Sequence, residues 1–390
     1  MSRRFLIVLV ILAASLAACS RVSLPEVVVQ STPVPTATPL PATGAATPEV
    51  DVATLLRGLD PSEQRMILIY GRASPAVVNI TTQVLVNSFF FGAYPEEGSG
   101  SGFVWDEAGH IVTNYHVVEN ADSLSVNFGN DTSLPAEIVG IDPQNDLAVI
   151  KVDQLPETIQ PLELGDSDAL QVGQLAIAIG NPFGQFQRTL TTGVVSALNR
   201  TIQTDNKVLR GAIQTDASIN RGNSGGPLLD SSGRLIGVNT AIFSPTGTSA
   251  GVGLAIPVNK VKQVVPVLIE RGRFPHPWLG AVGYDITPRL ARQLGLPVES
   301  GLLVAQLYNG SPAQQAGLRG ADRQVVVGNR YVLIGGDIIT AIDGQPLGTW
   351  DEWDSYLEEN TTAGQAVTLE TVRGDETMQL EVTLAEAPAS

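Results

Sequence analysis

Cysteine is all but missing from this 390-residue chain: Cys19 stands alone, so no disulfide can form within it. Histidine is nearly as scarce, with three residues. No His/Cys cluster has the spacing of a metal site, and no metal is expected. Positive charge is also short, with 23 Lys and Arg against 39 Asp and Glu and a net charge of -16. Without Arg3 and Arg4 the basic count falls to 21 and the net charge to -18. Nucleic acid is therefore excluded as an expected partner. No glycine loop sits between a strand and a helix to cradle phosphates, and no cofactor is expected. The one sustained apolar run, Phe5 to Ala18, is brief for a membrane span.

Glycine, by contrast, is plentiful, and one cluster is chemically pointed: Gly222-Asn223-Ser224-Gly225-Gly226-Pro227-Leu228. Glycines around a serine allow a tight turn, close approach of a carbonyl, and backbone amides aimed at one point. The same string also reads as an ordinary surface turn. A serine nucleophile requires a base and a carboxylate to orient it. His116 follows Ile111-Val112-Thr113-Asn114-Tyr115 at the end of an apolar strand, where a rigid scaffold can aim it. His110 lies in a polar hairpin turn and His276 between two prolines, and both read as solvated loop residues. Asp146 opens the apolar run Leu147-Ala148-Val149-Ile150, whereas Asp216 reads as a loop-stabilising acid near Ser224. The order His116, Asp146, Ser224 is that of a chymotrypsin-like triad.

Together Thr113-Asn114-Tyr115-His116-Val117-Val118, Asp146-Leu147-Ala148-Val149 and Gly222-Asn223-Ser224-Gly225-Gly226-Pro227 resemble the HtrA (Deg) family of trypsin-like serine proteases. Ser74 to Ile80, Gly100-Ser101-Gly102-Phe103 and Gly180-Asn181-Pro182-Phe183-Gly184 extend the resemblance, which covers roughly residues 62 to 388. It implies His116 as general base, Asp146 as its orienter and Ser224 as nucleophile, with the amides of Gly222, Asn223 and Ser224 as the oxyanion hole. It also implies a pocket walled by Ile219 and Ile242, selecting small aliphatic residues, although either isoleucine is equally consistent with plain core. The segment Asn239-Thr240-Ala241-Ile242-Phe243 is expected to pair with an extended substrate.

The chain from about Arg72 to Pro257 alternates short apolar runs with turns, an all-β pattern. The fold class expected is mainly β, and the resemblance implies two six-stranded barrels of the chymotrypsin type followed by an α+β PDZ domain. Val261, Val264, Val265 and Leu268 mark a closing helix, with Asn259 as its cap, Gly272 as its stop and a bend at Pro266. Trp278-Leu279-Gly280-Ala281, Gly310 to Leu318 and Gly335-Gly336-Asp337-Ile338-Ile339 resemble the PDZ domain of the same family. Leu279, Gly280 and Ala281 are then its peptide-carboxylate loop. Asp343-Gly344 reads as a hairpin turn, Trp350, Trp353 and Leu357 as one helix face, and the long segment 319 to 334 as an extra hairpin.

At the N-terminus, residues 1 to 19 read as a secretory signal ending in Leu16-Ala17-Ala18-Cys19, which resembles a bacterial lipobox. Lipid attachment at Cys19 is the preferred reading over ordinary cleavage. Residues 20 to 58 form a Pro/Thr-rich tether, 59 to 272 the protease domain with an oligomerisation segment, and 275 to 388 the PDZ domain. Asp60 and Glu63 signal a helix start, with Met66, Ile69 and Tyr70 on one face. By resemblance that segment assembles a homotrimer, with packing inside one subunit as the alternative. Phe89-Phe90-Phe91 is an exposed apolar run suited to a second subunit or an unfolded client. The expected function is a serine endopeptidase of the cell envelope, on the periplasmic or other extracytoplasmic face. Its partners are unfolded polypeptides, C-terminal peptides at the PDZ domain and the membrane. The alternative is a peptide-binding chaperone or sensor with a resting protease fold.

Overall fold

The computed structural model describes residues 56–88, 92–129, 133–181, 188–203, 208–220, 222–242 and 251–388. The signal, Cys19, most of the tether, Phe89 to Phe91 and Pro182 to Gly184 lie outside the described residues, as does the side chain of Ile242. Leu59–Ser390 forms one compact unit, and it opens on helix α1 (Pro61–Ala73). Asp60 and Glu63 close a reciprocal capping box there, satisfying amides that the first turn leaves without partners. Ile69 is buried against the barrel core and Met66 and Tyr70 pack on it, while Ile67 and Leu68 point outward.

Twelve strands then close into two barrels. The first contains β1 (Val77–Ser88), β2 (Gly92–Val104), β3 (His110–Thr113), β4 (Ser123–Asn127), β5 (Ser133–Asp142) and β6 (Leu147–Lys151), in the order β1-β2-β3-β6-β5-β4. Between β3 and β4 lies the short helix α2 (Tyr115–Val118). The second barrel contains β7 (Leu175–Gly180), β8 (Thr189–Gln203), β9 (Val208–Thr215), β10 (Pro227–Leu229), β11 (Leu235–Ile242) and β12 (Gly253–Pro257), in the order β10-β11-β12-β9-β8-β7. Closure removes free sheet edges, and the interiors fill with Ile80, Phe103, Val126 and Ile150 in one barrel and Ile213, Leu228 and Ile236 in the other. The two-barrel expectation holds.

Helix α3 (Val258–Arg271) lays Val258, Val261, Val264, Val265 and Leu268 on the barrels and stops at Gly272, whose φ of 75° is left-handed. The helix runs through Pro266 to Arg271. Its cap is Pro257, not Asn259, because Pro257 is already extended and Val258 begins the first turn. Asn259 instead donates its side-chain amide to Asp166 Oδ1 at 2.7 Å.

The second sheet region begins with β13 (Pro277–Trp278) and β14 (Ala281–Ile286), followed by helix α4 (Pro288–Leu294), β15 (Gly301–Leu307) and helix α5 (Pro312–Gln315). The segment expected as an extra hairpin is one: β16 (Arg323–Val327) pairs with β17 (Arg330–Ile334) alone. Then come β18 (Ile338–Ile342), β19 (Gln345–Pro346), helix α6 (Trp350–Asn360), β20 (Ala366–Arg373), β21 (Glu376–Thr383) and β22 (Ala385–Glu386). Asp343 and Gly344, both at positive φ, make the tight turn between β18 and β19. Trp353 and Leu357 are buried, and Trp350 packs beside them. Strand β14 is the outer strand of the order β14-β15-β18-β20-β21.

Candidate active site

Asp146 sits at the end of a turn that Asp142 builds: one Asp142 oxygen accepts from the amides of Gln144 and Asn145, each at 3.2 Å. The backbone of Asp146 is left-handed, at φ 55°, and this aims its side chain away from the run of β6. His116 lies three residues beyond β3, in the first turn of α2 rather than at the strand's end. Two bonds hold α2 on the acid: the Tyr115 amide donates to the Asp146 carbonyl at 3.1 Å, and the His116 amide to Asp146 Oδ1 at 3.1 Å. The imidazole completes the set, with Nδ1 2.8 Å from Asp146 Oδ2.

A carboxylate only accepts, so Nδ1 carries the proton and Nε2 keeps its lone pair for another partner. Asp146 is 6% exposed, which keeps water from competing for it. A further donor reaches it from the other barrel: Thr240 Oγ1 lies 2.5 Å from Asp146 Oδ2. Beside His116, the Tyr115 phenol is pushed up, first by burial and then by the Glu119 and Asp146 charges.

Ser224 stands in the turn between β9 and β10, so the two barrels contribute opposite halves of the site. Its hydroxyl donates to the Thr240 carbonyl at 3.1 Å, which places it beside the residue that also bonds Asp146. Gly222 and Gly225 have φ of 99° and 83°, a conformation that strains any side chain. A Cβ on Gly225 would lie 2.1 Å from the Ser101 carbonyl and 2.3 Å from Thr113 Oγ1. The first barrel thus touches the serine turn so closely that only hydrogen fits.

Ser101, on β2, clamps that turn. Its hydroxyl donates to the Gly222 carbonyl at 2.5 Å and accepts from the Asn181 amide at 2.9 Å, while its own amide donates to the Ser224 carbonyl at 2.8 Å. Thr113 Oγ1 in turn donates to the Ser101 carbonyl at 2.7 Å. Of the three amides expected in an oxyanion hole, that of Asn223 is spent inside the turn, donating to the Asn220 carbonyl at 3.0 Å. Among the described residues the Gly222 and Ser224 amides make no backbone hydrogen bond.

Other expectations divide. Ile219 is fully buried and clusters with Ala217, Leu228 and Ala255 in the second barrel, and a Cβ on Gly253 would meet it at 2.6 Å. Pairing of β10 with β11 ends at Val238, which leaves Ala241 and Ile242 paired with β12 on one side, beyond a register shift at Thr240. Asp216 is the loop-stabilising acid expected, accepting from the Val194 amide at 2.7 Å. His110 and His276 are not solvated. His110 opens β3, is 9% exposed and bonds Asp106, whose carboxylate closes the preceding turn. His276 is 8% exposed and wedged between two carboxylates.

In the second region Leu279, Gly280 and Ala281 form the turn leading into β14. Gly280 has φ 78°, and a Cβ there would meet the Ser311 side chain at 2.3 Å. The Leu279 carbonyl accepts from Ala313 at 2.9 Å, pinning the turn to α5. β14, which follows this turn, is the outer strand of its sheet order. Among the described residues no cluster of His, Cys, Asp and Glu is arranged to hold a metal, and no helix is long and apolar enough to cross a membrane.

Comparison with known proteins accords with this geometry. Residues 100–238 match the trypsin-like peptidase domain and residues 284–384 the PDZ domain. The chain is 41% identical over 354 residues to Protease Do-like 1, chloroplastic, of Arabidopsis thaliana, spanning 88% of this chain and 78% of that protein. It is 38% identical over 299 residues to the periplasmic pH-dependent serine endoprotease DegQ of Escherichia coli strain K12, spanning 76% of this chain and 62% of that protein. Among solved structures, the HtrA-type protease AlgW with decapeptide superposes with a TM-score of 0.69 at 34% identity, covering 83% of this chain and 98% of that one. The chain belongs to the Deg/HtrA family of serine endoproteases, with a trypsin-like peptidase domain followed by one PDZ domain.

Proposed function

We propose that Ser224 is the nucleophile, His116 the general base and Asp146 its orienter in an envelope protease that cleaves unfolded polypeptides. The observation that carries the roles is the contact of His116 Nδ1 with Asp146 Oδ2 at 2.8 Å, opposite a serine held on a glycine turn of the other barrel. In the first step Ser224 Oγ gives its proton to His116 Nε2 and bonds the substrate carbonyl carbon. The carbonyl oxygen takes the negative charge and faces the Gly222 and Ser224 amides. The imidazolium then protonates the leaving amine as the carbon–nitrogen bond breaks, and water, deprotonated by the same imidazole, frees the acid from Ser224.

Ser224 donates to the Thr240 carbonyl at rest, so in this reading its side chain must rotate for the hydroxyl to meet the imidazole. Catalytic hydrogen bonds are often completed only when substrate is present. This resting rotamer is also the observation that favours the second reading, a peptide-binding sensor with its protease held off. In the first reading C-terminal peptides captured at Leu279 to Ala281 and along β14 regulate the protease. Relatives named as periplasmic and the leader ending at Cys19 support an exported, lipid-anchored protein, and the outward Ile67 and Leu68 of α1 support assembly as a trimer. Ser224→Ala in the full chain is expected to abolish casein hydrolysis while leaving C-terminal peptide binding intact. Casein cleavage at the wild-type rate would refute the assignment.

A further inference from the structure

Four residues before Asp146, the carboxylate of Asp142 is tied to a part of the chain that the peptidase chemistry does not use. Asp142 is 1% exposed. Besides the amides of Gln144 and Asn145 and the Asn145 side chain at 2.6 Å, it accepts from His276 Nε2 at 2.8 Å. The other ring nitrogen, Nδ1, meets Glu358 Oε1 on α6 at 2.8 Å. Gln144, inside the same turn, donates to Glu358 Oε1 at 2.6 Å.

The histidine is itself fixed. The segment before it runs beside β5, with a bridge between Arg273 and Ile141 and a bond from the Ile141 amide to the Gly272 carbonyl at 3.1 Å. Its carbonyl accepts from Ala387, and the Phe274 ring packs edge-on at 5.1 Å. A planar ring with acceptors on two opposite nitrogens is rigid and fixes the span between them, which a freely rotating side chain does not.

We propose that His276 is a positioning residue for the peptidase site: a strut between α6 and the Asp142–Asn145 turn that holds the Asp146 carboxylate on His116. The inference rests on the reading of Asp146 as the orienter of His116. Asp146 has a left-handed backbone at the end of that turn, so a shift of the turn swings its carboxylate directly. Burial acts to lower the His276 pKa, but the bonds and charges of Asp142 and Glu358 outweigh it and raise the value to about 9. The ring is then charged at neutral pH and donates from both nitrogens, as the two carboxylates require.

The test compares full-length variants on a short quenched peptide. His276→Ala is expected to lower kcat about 10- to 100-fold with KM within about two-fold, since an ångström of misplacement in a catalytic group carries that order of loss. Labelling of Ser224 by a fluorophosphonate should slow in step. Arg210→Ala is the control: Arg210 bridges Asp351 and Asp354 on the same helix at 2.9 and 3.1 Å and makes no hydrogen bond or ion pair to the Asp142 turn, and its loss should not lower kcat. If His276→Ala does not fold, His276→Asn, too short to span both carboxylates, takes its place with the same expected loss. Wild-type kcat in the folded His276 variant, or an equal fall in Arg210→Ala, overturns the strut. Asp146→Asn separates the two claims: full activity there defeats the underlying reading, whereas an inactive Asp146→Asn beside an intact His276 variant defeats the strut alone.

Discussion

Thr240→Val removes one oxygen from the site while keeping its shape, and the structure sets the size of the effect. Thr240 Oγ1 donates to Asp146 Oδ2 at 2.5 Å, against 2.8 Å for the imidazole. A hydrogen bond to a charged, buried acceptor is worth about 1.5 to 3 kcal/mol. Valine removes the donor that comes from the second barrel, so Oδ2 is held less firmly toward His116. The cost is greatest when the imidazole becomes charged, because the oriented carboxylate then does most to stabilise it. At about 1.4 kcal/mol per factor of ten, kcat/KM should fall about 10- to 100-fold. The Thr240 carbonyl, which holds the resting Ser224, is unchanged by the substitution. Steady-state hydrolysis of a short peptide is the assay, with Thr240→Ser expected to restore most of the activity because it returns the hydroxyl. Wild-type kcat/KM in a folded Thr240→Val would refute the idea that the second barrel helps to orient the acid.

Other perturbations follow from the same geometry. Gly225→Ala puts a methyl 2.1 Å from the Ser101 carbonyl, so the turn must move, and peptidase activity should fall by about 100-fold or more while circular dichroism stays native. Unchanged activity would show that the barrels tolerate separation there. His276 couples stability to alkaline pH: its value rises from 6.5 to about 9 on folding, so its contribution is full below 6.5 and is lost as pH climbs through about 9. That gap corresponds to at most about 3 kcal/mol. The wild-type minus His276→Gln difference in urea stability should therefore shrink between pH 6 and pH 10, and a flat difference would contradict it.

What could be read in the sequence was the chemistry that needs rare residues in fixed local company. Three histidines left few bases to consider, and the glycines around Ser224 announced a turn whose crowding the structure explains. The β character was legible from the short apolar runs, the two barrels only through the family resemblance, and the hairpin at 319 to 334 from its length. Thr240, Ser101 and Thr113 were not assigned their roles, because hydroxyl residues in strands are common and their contacts arise only on closure. Thr240 meets Asp146 across 94 positions and Ser101 meets Gly222 across 121. His276 was misread for the same reason. Flanking prolines suggested solvent, yet its acceptors lie 134 and 82 positions away. The Asn223 amide could not be excluded from the oxyanion hole until its bond to Asn220 was visible.

The central claim is that His116 and Asp146 activate Ser224. Incubating the full chain with a fluorophosphonate and mapping the adduct by peptide mass spectrometry tests it most directly. The account predicts modification on Ser224, suppressed by at least about 100-fold in His116→Ala and Asp146→Ala, both folded. A chain that cleaves peptides while Ser224 stays unmodified, or that is labelled equally fast without His116, would contradict it.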